Sequence, residues 1–237
     1  DVLEDRDEVF ERGEVILQVN GLEDGDQELG SYRENQTAIG LFDPYNIGDD
    51  TLAALAERNV SVFTLELIPR ISRAQSMDVL SSMASLGGYQ ASIMAAEELP
   101  KMFPLEMTAA GTVQPAEVFV IGAGVAGLKA ISTAERLGAS VRAYDIRLEV
   151  KREVESLGAD FVELDLETEG SGDDEGYARE MDDEFYRQQR KELTRVVADS
   201  DVVITTAAIP GAPAPELVTS EMIGNMDPGS VIVDLSA

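Results

Sequence analysis

The sequence predicts an α/β fold in two domains, each built on a parallel sheet, arranged around a cleft. Three observations predict it. Short apolar runs alternate with helical patterns twice along the chain, in residues 14–67 and again in residues 117–235. A β-branched run, Glu117–Ile121, leads into Gly122, Gly124 and Gly127 at the spacing G-x-G-x-x-G, and then into a helical pattern over Val125–Leu137 closed by Gly138. A further strand pattern ends on an acid, Asp145. Strand, glycine turn, helix, strand and acid, in that order, form the dinucleotide-binding fingerprint of a Rossmann-like domain.

Each part of the fingerprint has a physical task. Gly122 permits the tight turn out of the strand, Gly124 lets a pyrophosphate approach the backbone, and Gly127 lets the helix lie close on the sheet. The helix N-terminus at Val125 offers unpaired N–H groups and a partial positive charge. Asp145 accepts from ribose hydroxyls and repels a 2′-phosphate, so NAD(H) is the expected cofactor.

At 237 residues the chain has room for one large or two modest domains, and 44% hydrophobic residues supply an ordinary core. No run approaches the length of a membrane span, so no direct membrane insertion is expected. Cys and His are both absent, which excludes disulfides and thiolate chemistry and removes the usual general base and the commonest metal ligand. The net charge of −28 argues against nucleic acid and anionic membrane surfaces as partners. The acids are scattered over well-patterned segments, and Lys101, Lys129, Lys151 and Lys191 are the only lysines. Such a surface suits high salt, where screening falls to about 3 Å at 1 M, so a halophilic protein is expected, the alternative being a mesophilic protein with a cationic partner.

In chain order, residues 1–12 are polar and carry no motif, and Glu14–Val19 reads as a buried strand. Gly21–Gln36 reads as loop and a short helix, and Ala38–Phe42 as a strand broken by Asp43-Pro44. Thr51–Arg58 reads as a helix with Asp49 or Asp50 as N-cap, and Val60–Leu67 as a third strand. Residues 76–99 look helical, with a small-residue stripe through Gly87, Gly88, Ala91 and Ala95 that calls for close packing or a bend. The domain boundary is expected in this helix or just after it, giving domains 1–100 and 101–237. Beyond Asp145, helices are expected at Glu149–Leu157, Tyr177–Ala198 and Glu216–Met226. Strands are expected at Asp160–Leu164, Asp201–Thr206 and Ser230–Leu235, and a mobile acidic loop at Asp165–Asp174. The chain opens in mid-pattern and stops straight after its last strand, as a fragment would.

Residues 61–237 resemble the NAD(H)-binding soluble component of the proton-translocating nicotinamide nucleotide transhydrogenases. The resemblance rests on PRISRAQSMDVLSS at 69–82, MTAAGTVQPA at 107–116, GAGVAG at 122–127, Asp145-Ile146-Arg147, GYA at 176–178 and TTAAIPGAPAP at 205–215. It departs from the family at Ala208 and Ala212, where Leu and Lys are usual. The resemblance implies that NADH bound here passes a hydride to NADP+ held on a partner subunit, coupled to proton movement through membrane subunits. It also implies a homodimer, cytoplasmic and peripheral to the membrane through those partners.

By the same resemblance, Arg70 would hold the carboxamide, Gln75 would reach toward the partner's nucleotide, and Asp78 and Ser81 would fix the nicotinamide ring. If residues 70–81 were helical, 75, 78 and 81 would step by about 60° along one slanted face. Ile146 belongs to the same cofactor-binding stretch. Arg147 would lie near the adenosine ribose or its phosphates. Gly176 and Tyr177 would sit at the tip of the mobile loop, and Ala207 and Ala208 would line the adenosine side. Without the resemblance, Arg70 reads as a salt-bridged loop residue, Asp78 as a helix cap, and Gln75 and Ser81 as solvated positions. The alternative is an oxidoreductase similar to the alanine dehydrogenases, a family that places a Lys after the strand matching 14–19 and a His after the strand matching 38–42; here Asn20 and Asp43 stand in those neighbourhoods. A non-catalytic NAD-binding module is the remaining alternative.

Overall fold

The computed structural model describes residues 2–22, 26–164, 183–207 and 214–236. They form two compact units, Asp1–Leu80 and Ser81–Ala237.

The first unit runs α1 (Arg6–Arg12), β1 (Val15–Asn20), α2 (Asp26–Ser31), β2 (Thr37–Leu41), α3 (Asp49–Glu57) and β3 (Ser61–Thr64). Its sheet has the order β1-β2-β3 and is parallel throughout. Phe10, Tyr32 and Leu55 from the helices pack with Ile16, Ala38 and Phe42 from the strands and their ends. Helix α1 lies within residues 1–12, where no motif points to it. Asp5 caps it by accepting from the Asp7 amide at 2.9 Å, and its one buried residue is Phe10.

Three expectations change here. The run 14–19 is a half-buried strand. Ile16 is 2% exposed while Leu17 and Val19 are 74% and 80% exposed, because successive side chains point to opposite faces and only one face is packed. Helix α3 is N-capped by Gly48; Asp49 and Asp50 fall inside its first turn, where they complement the helix dipole. The third strand stops at Thr64 and passes into a 3₁₀ turn, Leu65–Leu67.

The second unit opens with the 20-residue helix α4 (Val79–Glu98) and a two-stranded antiparallel hairpin, β4 (Glu106–Thr108) and β5 (Gly111–Val113). It continues with β6 (Glu117–Ile121), α5 (Val125–Arg136), β7 (Ser140–Tyr144), α6 (Lys151–Ser156), β8 (Asp160–Phe161), α7 (Asp183–Ala198), β9 (Val202–Thr205), α8 (Ser220–Ile223) and β10 (Val231–Asp234). The five-stranded sheet has the order β10-β9-β6-β7-β8, all parallel. The order reverses beside β6, which places a topological switch point between β6 and β9.

Both faces of this sheet are covered. On one, Ala91, Ala95, Ala130, Ile131 and Val154 of α4, α5 and α6 pack on Val118, Val120 and Val141. On the other, Leu193, Val197 and Met222 of α7 and α8 pack on Phe119, Ile121 and Val203. The glycine pair in α4 has a packing reason. A Cβ on Gly88 would lie 2.0 Å from the Ala126 carbonyl oxygen, and Ser92 Oγ donates to the Ala130 carbonyl at 2.9 Å. These contacts tie α4 to α5. The division between units therefore falls at Leu80/Ser81, before nearly all of this helix, whereas the sequence pattern suggests 100/101.

The described part of α7 begins at Asp183, and the expected acidic loop at Asp165–Asp174 lies outside the described residues. Among the described residues no helix is long and apolar enough to cross a membrane.

Candidate functional site

The site of interest lies at the carboxyl ends of β6, β7 and β9, where parallel strands leave their turns. β6 ends at Ile121, and Gly122 follows with φ +99°, its amide donating to the Tyr144 carbonyl at 2.8 Å. A side chain at Gly122 would be strained by that φ, and its Cβ would also lie 2.7 Å from Thr206 Oγ1. Thr206 donates to the Gly122 carbonyl at 3.0 Å, which pins the turn to the end of β9.

Gly124 is the N-cap of α5 and has nothing within 4 Å of its would-be Cβ, so the backbone there faces open space. Gly127 is the opposite case: a Cβ would lie 1.8 Å from the Gly122 carbonyl oxygen. The helix thus approaches the turn as closely as backbone can, and Val125 at its first position is exposed. A 12-residue helix whose N-terminus opens on a glycine turn is a ready anion site.

Asp145, one residue past β7, is 5% exposed. Its Oδ2 accepts from the Ala123 amide at 2.7 Å, so the acid is fastened to the glycine turn itself. Its Oδ1 accepts from the Arg147 amide at 2.8 Å. The Arg147 guanidinium closes on both oxygens, Nε to Oδ1 and Nη2 to Oδ2, each at 2.9 Å. Those hydrogen bonds raise the Arg147 pKa above its ordinary value. Ile146, between them, is buried. Beneath the acid, burial pushes the Tyr144 hydroxyl up to about 12, against the opposing hydrogen bond from Gln189 Nε2 at 2.9 Å.

Gly122, Gly124, Val125, Gly127, Asp145, Ile146, Arg147 and Ala207 are therefore gathered around one turn, with the Ala207 amide 3.0 Å from where a Gly122 Cβ would stand. Gly176, Tyr177 and Ala208 lie outside the described residues.

The other candidates belong to a separate segment. Arg70 and Gln75 are exposed, and Asp78 and Ser81 half-buried. The segment is not a helix. Gln75–Met77 is a 3₁₀ turn, Asp78 ends it with φ −76° and ψ 87°, and α4 starts only at Val79. The slanted-face spacing expected for 75, 78 and 81 therefore does not apply. Two residues that lie in the quoted motifs but carry no expected role, Ala123 and Thr206, shape the site through a backbone amide and a hydroxyl. Neither group leaves a mark in sequence spacing.

Switch point, glycine turn, helix N-terminus and strand-end acid define the dinucleotide-binding class of α/β domain. Family models describe the two halves separately: "Alanine dehydrogenase/PNT, N-terminal domain" matches residues 1–87, and "Alanine dehydrogenase/PNT, C-terminal domain" matches residues 91–237. The chain belongs to the alanine dehydrogenase/PNT family. It is 46% identical over 226 residues to NAD(P) transhydrogenase subunit alpha of Haemophilus influenzae, covering 95% of this chain and 43% of that protein. It is 44% identical over 230 residues to NAD(P) transhydrogenase subunit alpha of Cereibacter sphaeroides, covering 97% of this chain and 43% of that protein. Among solved structures, a transhydrogenase from Sinorhizobium meliloti matches with a TM-score of 0.77 at 46% identity, over 94% of this chain and 59% of that one. The chain thus spans somewhat under half the length of these two curated relatives.

Proposed function

We propose that this chain holds NAD(H) for a proton-translocating transhydrogenase, presenting the reduced nicotinamide to NADP+ on a partner subunit. The observation that carries the reading is Asp145, fastened to the glycine turn through the Ala123 amide. The pyrophosphate would lie over Gly124 at the start of α5, and the adenosine ribose would reach Asp145. The residues fit such a ligand: the space over Gly124 is open where a pyrophosphate must approach.

NADH supplies the hydride, and the chain supplies binding, orientation and exclusion of water. Transfer between two nicotinamides needs the rings about 3–3.5 Å apart and no proton relay from the protein. A chain without His or Cys meets that requirement. Arg70, Asp78 and Ser81 are proposed to orient the nicotinamide, Gln75 to reach toward the partner's nucleotide, Ala207 and Ala208 to line the adenosine or ribose side, and Tyr177, with Gly176, to close over the nucleotide. The reading includes a homodimer, attachment to membrane subunits from the cytoplasmic side, and operation in high salt.

The test is a titration of the chain with NADH and NADPH in multimolar KCl, followed by hydride exchange to an NADP+ analogue with the partner domain added. NADH uptake, exclusion of NADPH, and exchange only with the partner present are expected. In Asp145→Asn the gap between the two nucleotides narrows. A wild-type chain that takes up no NADH, or that prefers NADPH, refutes the reading.

A further inference from the structure

We infer that Arg147 is an internal occupant of the ribose site, lying on the oxygens of Asp145 that must receive the ribose and leaving them when the nucleotide binds. The inference rests on the NAD(H)-binding reading and specifies how that site opens.

The argument is a count of acceptor positions. An ionised carboxylate has about four lone-pair sites on two oxygens. Among the described residues four donors reach Asp145. Oδ1 receives the Arg147 amide at 2.8 Å and Arg147 Nε at 2.9 Å. Oδ2 receives the Ala123 amide at 2.7 Å and Arg147 Nη2 at 2.9 Å. The two amides are parts of the turns that place the acid and cannot leave without unmaking them. The two guanidinium donors sit on a flexible side chain. A ribose diol brings two hydroxyl donors, the same number that the guanidinium contributes. Ribose and guanidinium therefore compete for the same two positions. The competitor is well placed, because both partners of the ion pair are largely buried, at 14% and 5% exposure, and the fork is bidentate.

A closed resident state has a predictable consequence. The apparent affinity of a site falls by the fraction of molecules in which it is open. Removing the guanidinium should thus tighten binding of any ligand carrying the adenosine ribose. It should leave untouched a ligand that lacks that ribose. A residue that merely supports the fold would move both or neither.

The experiment compares wild type, Arg147→Ala and Arg147→Lys by calorimetric titration in multimolar KCl. There the long-range attraction of a cation for phosphate is screened to about 3 Å at 1 M. The probes are ADP-ribose and reduced nicotinamide mononucleotide. In Arg147→Ala, ADP-ribose is expected to bind on the order of tenfold tighter, as for a site that is closed about nine-tenths of the time. The mononucleotide should be unchanged, and Arg147→Lys, which keeps the charge without the fork, should fall between. Unchanged or weaker ADP-ribose binding in a folded Arg147→Ala chain overturns the inference, as does an equal change for both probes. If Arg147→Ala does not fold, Arg147→Met, which keeps the stem's packing, carries the same expectations. A wild-type chain that binds no NADH removes the underlying reading, whereas a wild type that binds with no tightening in the variants removes only this one.

Discussion

The two parallel sheets of this chain are built from similar strands and are buried very differently. In the five-stranded sheet, Val118–Ile121 and Val202–Ile204 are each at most 1% exposed, with helices on both faces. In the three-stranded sheet, Ile16 and Ala38 are buried, while Leu17 and Phe63, which share the opposite face through the pairs Leu17–Ile39 and Ile39–Phe63, are 74% and 60% exposed. Parallel sheets usually carry cover on both faces. The sheet closed on both sides is the one that holds a fully pinned turn. Backbone can be placed to a few tenths of an ångström only where packing removes the alternatives.

The sharpest way to break this contrast is to loosen the turn that the closed sheet holds. Gly127→Ala places a Cβ 1.8 Å from the Gly122 carbonyl oxygen, a backbone atom that cannot rotate away. The expected loss of stability reaches or exceeds the about 1–3 kcal/mol of ordinary overpacking, and NADH uptake should go with it. Urea unfolding and NADH titration of the same preparation check both. A chain that accepts the methyl group with no loss in either would show that α5 is not held where it stands.

The glycine fingerprint is readable in the sequence because its requirements are local. Gly122, Gly124 and Gly127 answer to a turn and a helix start within six residues, and Asp145 and Arg147 meet across two. Thr206 reaches Gly122 across 84 positions, so nothing near either residue announces the contact. Helix α1 is hard to read because a seven-residue helix with one buried side chain has almost no apolar period. The run Glu14–Val19 sets Val15, Leu17 and Val19 on one face and Glu14, Ile16 and Gln18 on the other, and the apolar set suggests burial although it is the exposed face. The segment 70–81 is readable as polar and distinctive, but a three-residue 3₁₀ turn such as Gln75–Met77 is too short to leave an apolar period.

The first unit also holds a buried polar network, on the packed side of β1. Glu28 is 1% exposed, pairs with Arg6 at 3.0 Å, and receives Gln18 Nε2 at 2.5 Å; Gln18 in turn accepts from Tyr32 Oη. Burial raises the Glu28 pKa, but hydrogen bonds from the Leu22 amide, Gln18 and Arg6 outweigh it, and the net shift is below the ordinary 4.5. A carboxylate with a depressed folded pKa contributes stability that is present above the unfolded value and lost as pH falls through the folded one. The first unit should therefore weaken below about pH 4.5 through this group. Glu28→Gln should lower stability near neutrality by about 1 kcal/mol, the scale of one net hydrogen bond, and remove that part of the acid sensitivity. Unfolding midpoints of the two proteins between about pH 3 and 7 read the difference, and parallel curves would deny Glu28 this role.

The smallest effect is the most informative about the open face. Leu17→Thr replaces a side chain that is 74% exposed in a strand whose neighbour, Ile16, is 2% exposed. Threonine is β-branched and suits a strand, so the backbone loses nothing by the change. If the face meets water, the cost should stay within about 0.5 kcal/mol, the usual range for a surface substitution. A loss well above about 1 kcal/mol would mean that Leu17 is covered in solution, since burial of an apolar side chain contributes about 1.5–3 kcal/mol. Repeating the measurement over a range of protein concentrations separates the sources of such cover. A cost that grows with concentration comes from a second molecule, and a constant one from the same polypeptide.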